Sequence, residues 1–395
     1  MKYLKRISGV LVVFLLLQLF LPPIGSIDAA EEPPGVSAEA AALIDVASGR
    51  ILYQKNGDKK MRIASLTKIM TAIVAIEEAN LQDVIQIPAE AVGVEGSSIY
   101  LRKGERLTLE ELLYGLMLRS GNDAATAIAL HIGGSVQGFA YKMNEKAAMI
   151  GMTHTNFMNP HGLDDSNMHY STANDMVKLS AYALKNPVFR QIVSSKVKSI
   201  SMEGENWDRR LQNKNKLLHL YQGADGVKTG YTKLAKRCLA SSATRDGRQL
   251  AAITLNAPDD WNDSMNLLDW GFGNFKQTKV VGKGEAINPD VPIARSEERL
   301  QLVTANEFVY PLRDGEASQV TTRVNLFQSQ LDKKLAGKHI GFLQIYLGNQ
   351  SIGKIPLTVK EVVPTLKTQL SIKPLENDSF WSKLWRIAVG GMLHA

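Results

Sequence analysis

The chain has 395 residues, a formal net charge of +7, and 45% hydrophobic and 22% charged residues. This composition is ordinary for globular proteins and excludes a disordered or low-complexity chain, and the length favours two or three domains with ample core. The single cysteine, Cys238, excludes an intrachain disulfide and any site with several cysteine ligands. The absence of a stripe of cations and aromatics argues against nucleic acid as a partner, and the mild positive charge fits either a solvated surface with excess lysine or an anionic partner surface.

The segment 1–30 has the pattern of a secretory signal peptide. A positively charged head precedes an apolar core, 10–20, and the segment ends in the small residues Ala29 and Ala30. The apolar core is short for a membrane span. We therefore predict an exported protein, with a retained N-terminal anchor as the alternative.

Residues 31–274 are predicted to form one domain that mixes helices and strands. In chain order the patterns predict a strand at 40–46, a hairpin turn at 47–50, a strand at 51–53, helices at 66–79, 108–119 and 123–131, a strand at 250–255 and a helix at 261–270. Thr108 and Glu111 have the spacing of a capping box. This irregular alternation predicts an α/β (α+β) fold with helices around an antiparallel sheet, not a strict βαβ repeat.

Residues 275–372 are richer in strand patterns and have no cluster of catalytic residue types. The β-rich segments, separated by Gly, Asp and Asn turns, are 300–303, 308–310, 320–326, 340–347 and 354–359. Weak helical periodicity in this region predicts a small β-sandwich domain.

Residues 373–395 have the pattern of an amphipathic helix. The residues on its apolar face are Trp381, Leu384, Trp385, Ala388 and Met392. Lys383 and Arg386 lie away from that face. At 1.5 Å per residue the helix is too short to cross a bilayer of about 30 Å, so we predict an interfacial membrane anchor. Packing on the protein's own surface is the alternative.

Three short motifs follow one another along the mixed domain. They are Ser65-Leu-Thr-Lys68, Ser120-Gly-Asn122 and Lys228-Thr-Gly230. The first two patterns also occur elsewhere, at Ser195/Lys198, Ser351/Lys354 and Ser264/Asn266. Only the set that begins with Ser65 has all three in order with room for helices and a strand between them. That conjunction is typical of an active-site-serine acyltransferase.

Ser65 and Lys68 are the predicted nucleophile and base. Three residues apart at the start of a helix, they share one face, so the amine can reach the hydroxyl. A serine hydroxyl is a poor nucleophile until a base takes its proton, and an ammonium with a pKa near 10.4 is not that base at neutral pH. We expect burial and the nearby cation Lys228 to lower the pKa of Lys68.

Ser120, Asn122 and Tyr231 are predicted to complete the chemistry on the acyl side. Ser120 would pass the proton to the leaving amine, and the Asn122 amide would hold the substrate backbone. The backbone N–H groups of Ser65 and Tyr231 would stabilise the developing oxyanion.

The third motif is predicted to bind the leaving end of a peptide with a free C-terminus. Lys228 would supply charge to the terminal carboxylate, and Thr229 a hydroxyl. Gly230 would let the substrate lie close against an edge strand. Each residue also has a structural interpretation, as a helix cap, a solvated lysine, a helix–helix turn or a strand end.

His154, His161 and His169 lie close together in sequence, so a zinc peptidase must be weighed. No His-Glu-x-x-His pattern is present, and His161 lies in an Asn-Pro-His-Gly loop that favours a hydrogen-bonding role. We expect neither a metal nor another cofactor.

These residues resemble the low-molecular-mass penicillin-binding proteins that act as D-alanyl-D-alanine carboxypeptidases, peptidase family S11. Four segments carry the resemblance: 64–71, 120–125, 159–164 and 226–232. It implies removal of the terminal D-alanine from peptidoglycan stem pentapeptides through an acyl-enzyme on Ser65, and acylation of Ser65 by β-lactam antibiotics. It also implies a location at the outer face of the cytoplasmic membrane. The length and tail resemble the sporulation-associated members.

Three alternatives remain. A serine β-lactamase shares the motifs, but the Glu-x-x-Leu-Asn loop that supplies the deacylating base in class A enzymes is missing between the second and third motifs. A D,D-transpeptidase differs only in using an amine instead of water as acceptor, which the sequence leaves open. A catalytically silent wall-binding protein would have eroded motifs, whereas all three are intact.

Overall fold

The computed structural model of the protein divides into two compact units. The ranges that it describes are 32–202, 204–287, 300–327 and 333–361. The first unit extends to Val280 and includes the segment Phe308–Val320, and the second contains Val281–Glu307 and the residues from Thr321 onward. The predicted signal peptide and amphipathic tail lie outside the described residues. Within the described ranges, no helix is both long and apolar enough to cross a membrane.

A five-stranded antiparallel sheet forms the centre of the first unit. Its strands, in spatial order, are β2 (Ile51–Lys55), β1 (Ala40–Asp45), β9 (Arg248–Leu255), β8 (Lys236–Arg245) and β7 (Ala224–Thr232). Two ribbons accompany it: β3 (Val84–Gln86) with β4 (Arg106–Thr108), and β5 (Val197–Ile200) with β6 (Arg209–Gln212). Strand β7, which carries the third motif, is therefore an edge strand with one side open.

Helices cover both faces of this sheet. In chain order they are α1 (Lys68–Glu78), α2 (Leu109–Leu118), α3 (Asn122–Gly133), α4 (Val136–Ile150), α5 (Ala173–Leu184), α6 (Pro187–Ser194), α7 (Leu217–Leu220) and α8 (Asp260–Asn274). Ala42 and Ile44 of β1 join the large core under α1 to α6, and Ala41 and Leu43 join a smaller core with Trp270 of α8. This alternation is the period of two that a strand buried on both faces requires.

The mixed α/β fold predicted from the sequence is confirmed, including the antiparallel sheet. The capping box at Thr108 and Glu111 is present, with both reciprocal hydrogen bonds. Helix α1 begins at Lys68 instead of Leu66, because Ala64–Thr67 form a tighter 3-10 helix. The first motif therefore begins inside a 3-10 turn and ends at the first residue of α1.

The second unit contains a five-stranded sheet, as the β-rich sequence predicts. Its strands, in spatial order, are β11 (Ala286–Ile287), β12 (Leu300–Thr304), β16 (Gln350–Glu361), β15 (His339–Leu347) and β14 (Val320–Leu326). Two further strands of this part of the chain, β10 (Lys276–Val281) and β13 (Phe308–Leu312), pair separately.

The segment that contains β13 belongs to the first unit, and Arg50 makes several of the contacts that hold it there. The guanidinium of Arg50 lies over the rings of Phe275 and Tyr310, with centroid distances of 5.1 and 5.4 Å. It also forms a bidentate ion pair with Glu316, at 2.6 and 2.8 Å. The sequence pattern assigned β13 to the β-rich domain, whereas these contacts hold it in the first unit.

Candidate active site

Ser65 lies in the 3-10 turn that leads into α1. The preceding residue, Ala64, has a φ of 47°, in the left-handed region that residues with a side chain rarely adopt. Thr67 Oγ1 donates a hydrogen bond to the Ala64 carbonyl oxygen at 2.9 Å. Gly162 packs against the same carbonyl so closely that a Cβ on Gly162 would overlap it. The strained backbone in front of the serine is thus held from two sides.

Lys68 is fully buried, and its Nζ contacts three acceptors. It lies 3.1 Å from Ser65 Oγ, 2.6 Å from Asn122 Oδ1 and 2.7 Å from the His161 carbonyl oxygen. Burial, followed by the charges of Lys228 and Lys214, lowers the pKa of Lys68 well below its usual value. The structural interpretation of Lys68 as a solvated helix residue is excluded. A neutral amine beside the Ser65 hydroxyl has the geometry and the basicity of a general base.

Lys228 and Lys214 are the cations that surround this amine. Lys228 is buried on β7, and its Nζ donates to the Thr229 carbonyl oxygen at 2.8 Å. Burial, and then Lys214, lowers the pKa of Lys228 to about 7. Lys214 is exposed and donates to Ser97 Oγ at 3.0 Å. The positive potential of the two cations disfavours protonation of Lys68.

Ser120 and Asn122 lie at the junction of α2 and α3. Ser120 is buried and has a φ of 64°, a second left-handed residue beside the candidate nucleophile. Asn122 uses Oδ1 to accept from Lys68, and its Nδ2 donates to the Glu95 carbonyl oxygen at 2.6 Å. An amide nitrogen has two hydrogens, so one remains for a ligand. The second motif therefore holds the base, Lys68, through Asn122 and supplies Ser120 to the wall of the site.

Thr229, Gly230 and Tyr231 follow the open edge of the sheet. A Cβ on Gly230 would lie 3.1 Å from Ser65 N and 3.3 Å from the Ala64 Cβ, closer than side chains usually approach. Tyr231 is 65% exposed. Only a glycine at position 230 leaves the serine turn against the strand undisturbed.

These elements enclose a cleft of about 340 Å³. Five of the sequence-predicted site residues line it: Ser65, Ser120, Thr229, Gly230 and Tyr231. Lys68, Asn122 and Lys228 are buried next to these residues, outside the lining. The cleft is also lined by five residues that the sequence reasoning missed: Ser97, Lys214, Arg237, Asp260 and Trp261. No motif marks these five residues. Two sequence signals concern them: Arg237 follows β7 across a hairpin, and Trp261 is the first residue of the predicted last helix.

The histidines are engaged in hydrogen bonds around the serine turn. His169 Nδ1 accepts from the Met158 N–H at 3.1 Å, so its Nε2 carries the proton and donates to Thr67 Oγ1 at 2.9 Å. Burial is the largest cause that lowers the pKa of His169 to about 4 and that of His161 to about 3. Both rings are thus neutral in the physiological range. The His169 ring supports the serine turn through Thr67, and the His161 ring accepts from the Leu163 N–H at 3.2 Å in its own loop.

The other matches to the motif patterns lie outside the cleft lining. Ser195 follows α6 directly, and its Oγ donates to the Gln191 carbonyl oxygen of that helix. Ser264 is fully buried in α8, and Ser351 lies on β16 of the second unit. Of the four serines concerned, Ser65 alone combines a position in the cleft with a buried lysine at hydrogen-bond distance.

A partly exposed serine, a buried lysine of lowered pKa, a buried serine–asparagine pair and an open strand edge define the class of active-site-serine acyltransferases. Comparisons with known proteins agree. Residues 27–259 match the family model of D-alanyl-D-alanine carboxypeptidase, and residues 275–365 match that of the penicillin-binding protein 5 C-terminal domain. The chain therefore belongs to the D-alanyl-D-alanine carboxypeptidases of peptidase family S11, serine hydrolases among the penicillin-binding proteins.

Curated relatives cover nearly the whole chain. It is 31% identical to the D-alanyl-D-alanine carboxypeptidase DacC of Escherichia coli, with 97% of this chain and 96% of DacC covered. It is 29% identical to DacF of Bacillus subtilis, with 91% and 94% covered.

Solved structures show the same fold. Penicillin-binding protein 5 from Haemophilus influenzae is 30% identical, with a TM-score of 0.69 and coverage of 84% of this chain and 98% of that chain. The Streptomyces K15 DD-transpeptidase is 33% identical, with a TM-score of 0.58, and covers 62% of this chain and 100% of its own.

Proposed function

We propose that this chain removes the terminal D-alanine from peptidoglycan stem peptides that end in D-Ala-D-Ala, through an acyl-enzyme on Ser65. The observation that carries the proposal is the 3.1 Å contact between Ser65 Oγ and the Nζ of Lys68, a buried amine of lowered pKa. The family membership supports the substrate class, and the cleft geometry supports the assignment of the reacting residues.

In the first step, neutral Lys68 takes the proton of the Ser65 hydroxyl as Oγ attacks the carbonyl carbon of the penultimate D-alanine. The oxyanion that forms is stabilised by the backbone N–H groups of Ser65 and Tyr231. Ser120 passes the proton to the leaving nitrogen, the C–N bond breaks and D-alanine departs. The product is an ester between Ser65 and the shortened peptide.

In the second step, water attacks this ester, and Lys68 takes the proton of the water. Collapse of the new oxyanion returns the proton to Ser65 Oγ and releases the peptide acid. A β-lactam follows the first step only: its ring nitrogen stays tethered after ring opening. We therefore expect penicillin to accumulate as an ester on Ser65, as the resemblance implies.

The substrate would bind as an additional strand along β7. The open edge offers backbone hydrogen bonds to an extended peptide, and the second Nδ2 hydrogen of Asn122 would hold the acyl portion. Thr229 would donate its hydroxyl to the terminal carboxylate, within the positive potential to which Lys228 contributes. Gly230 permits the close approach.

The test is release of free D-alanine from diacetyl-Lys-D-Ala-D-Ala by the purified protein. We expect release by the parent protein and by Ser195→Ala, the matched control at another Ser-x-x-Lys sequence. We expect none by Ser65→Ala. Release by Ser65→Ala at the parent rate would refute the assignment of the nucleophile.

D,D-transpeptidation is the second candidate, favoured by the similarity to the Streptomyces K15 DD-transpeptidase. The two reactions share the Ser65 ester and differ in the acceptor. Adding glycine or a D-amino acid to the assay would divert the ester to an exchanged peptide if amines compete with water. Mass spectrometry of the peptide product measures the partition.

We also propose that the protein is exported by segment 1–30 and held at the outer face of the membrane by the amphipathic segment 373–395. The division into a catalytic domain, 31–274, and a β-rich domain, 275–372, stays part of this proposal. The apolar face of the tail and its two flanking cations support an interfacial position.

A further inference from the structure

Arg237 is a cation of the cleft that no motif marks. Lys228, the cation expected at the substrate carboxylate, is buried outside the cleft lining and donates to a backbone carbonyl. Among the described residues, the cations that line the cleft are Lys214 and Arg237. We propose that Arg237 binds the C-terminal carboxylate of the leaving residue and sets the preference for a free C-terminus. This inference rests on the proposed carboxypeptidase function.

The register of the sheet places Arg237 beside the third motif. Arg237 on β8 is paired with Tyr231 on β7. Directly opposed residues of an antiparallel pair point to the same face of the sheet. The side chain of Arg237 therefore reaches the same part of the cleft as Tyr231 and Thr229, whose hydroxyl is the proposed partner of the carboxylate.

Asp260 holds the guanidinium in place. Arg237 Nε and Nη2 lie 3.1 and 2.5 Å from Asp260 Oδ1, and Asp260 is buried at the first residue of α8. The Arg237 side chain is 44% exposed, and its Nη1 makes no hydrogen bond to the described residues. A planar guanidinium anchored on one edge presents its other edge to a ligand, and it stays charged at every physiological pH.

Lys214 occupies a different wall of the cleft. Its Nζ donates to Ser97 Oγ, and the Ser97 carbonyl oxygen accepts from the Asn122 N–H at 2.7 Å. Lys214 therefore lies beside the second motif, on the side of the cleft where the acyl portion of the substrate would bind. Arg237 lies beside the third motif and α8, where the leaving residue of the substrate would bind.

The experiment compares diacetyl-Lys-D-Ala-D-Ala with the same peptide carrying a C-terminal amide. The decisive variant is Arg237→Gln with Asp260→Asn, which removes both charges and leaves no unpaired buried carboxylate. We expect kcat/KM for the acid to fall about tenfold to a hundredfold, mainly through KM, as loss of a charged hydrogen bond implies. The kcat/KM for the amide should be nearly unaffected, so the ratio of kcat/KM for the acid to that for the amide should fall by about the same factor.

Two further variants make the result specific. Lys233→Ala removes one charge from the exposed β7–β8 turn without touching the cleft lining and should leave the ratio unchanged. Arg237→Lys keeps a positive charge and should retain part of the preference, which also provides a readout if the double variant unfolds.

Three outcomes would overturn the proposal: an unchanged ratio in the double variant, a parent protein without preference for the acid, or a ratio that collapses in Lys214→Gln instead. These differ from failure of the proposed function, in which the parent protein would release neither D-alanine from the acid nor D-alaninamide from the amide.

Discussion

Lys68 is the residue on which the proposed chemistry depends, because its amine must be neutral to accept the serine proton. Three features lower the pKa of this amine: complete burial, Lys228 and Lys214. Each of its three hydrogen bonds also fixes a different part of the site, namely Ser65, Asn122 and the loop of His161. Lys68 therefore holds the parts of the site together in addition to acting as the base.

Lys68→Arg should abolish acylation by fluorescent penicillin almost completely. Arginine keeps the positive charge but is not deprotonated near neutral pH. We expect the acylation rate to fall by several orders of magnitude, measured from labelling reactions that are quenched at successive times. The melting temperature is the check on folding. Lys198→Arg, at another Ser-x-x-Lys sequence, should label like the parent protein. Acylation of Lys68→Arg at the parent rate would mean that another group is the base.

Lys228 links the site to the pH dependence of stability. Its pKa is about 7 in the folded protein and near 10.4 in the unfolded chain, so between these values the unfolded chain binds more protons. The free energy of unfolding contributed by Lys228 therefore rises with pH, by at most about 1.4 kcal/mol per pH unit, and is lowest below pH 7.

Lys228→Met should remove this contribution. Urea unfolding at pH 7.5 and 9 would measure it, and the variant should gain less stability over this interval than the parent protein. Lys233→Met, at an exposed lysine, is the control. Equal gains in Lys228→Met and the parent protein would contradict the lowered pKa.

At the scale of elements, the site is the contact between a 3-10 turn and an edge strand. Helix α1 delivers Lys68, the α2–α3 junction delivers Ser120 and Asn122, and β7 approaches the serine turn at Gly230. The close approach is possible because Gly230 has no side chain.

Gly230→Ala tests this contact. The added Cβ would lie 3.1 Å from Ser65 N, so the serine turn must shift by a few tenths of an ångström. Because catalysis is sensitive to such misplacement, we expect the acylation rate to fall about tenfold or more while the melting temperature changes little. Gly273→Ala is the matched control, since nothing lies within 4 Å of its Cβ, and it should acylate normally. Normal acylation by Gly230→Ala would show that the contact is not needed.

The elements that carry the first two motifs could be predicted from the sequence because local signals define them. Apolar periodicity marks α1, and the capping box at Thr108 marks the start of α2. The cleft residues Arg237 and Asp260 could not be predicted, because the register of β8 on β7 and the position of α8 bring them there. The burial of Lys228 outside the cleft lining likewise depends on packing between distant segments.

Of the helices between the second and third motifs, α3 was predicted and α4, α5 and α6 were missed. The burial of α4, α5 and α6 is set by contacts with α1, α3 and the sheet, which join segments distant in sequence. By contrast, the strands of the second unit follow their sequence pattern closely. Alternating apolar residues between turn residues are a local signal.

For the molecule as a whole, we propose that the amphipathic tail holds the protein at a membrane surface. Deleting the residues after Lys373 should release the protein from membranes and leave D-alanine release intact, because all three motifs lie in the first unit. Vesicle sedimentation of the full and shortened chains measures this. A shortened chain that still sediments would instead indicate an uncleaved N-terminal anchor.

The contributions of the two faces of the tail can be separated. Trp381→Ala with Trp385→Ala should detach the protein more completely than Lys383→Gln with Arg386→Gln, because apolar burial supplies most of the affinity of an interfacial helix. Binding to anionic vesicles should also weaken as salt rises. Equal binding by the tryptophan variant and the parent protein would contradict an apolar membrane face.

The central claim is that Ser65 alone forms the covalent acyl-enzyme, and mapping the penicillin adduct by mass spectrometry tests it most directly. The protein would be incubated with penicillin, digested with a protease and searched for the peptide that carries the added mass. We predict one modified peptide, which contains Ser65, and none in Ser65→Ala. An adduct on Ser195 or Ser351, or labelling that persists in Ser65→Ala, would contradict it.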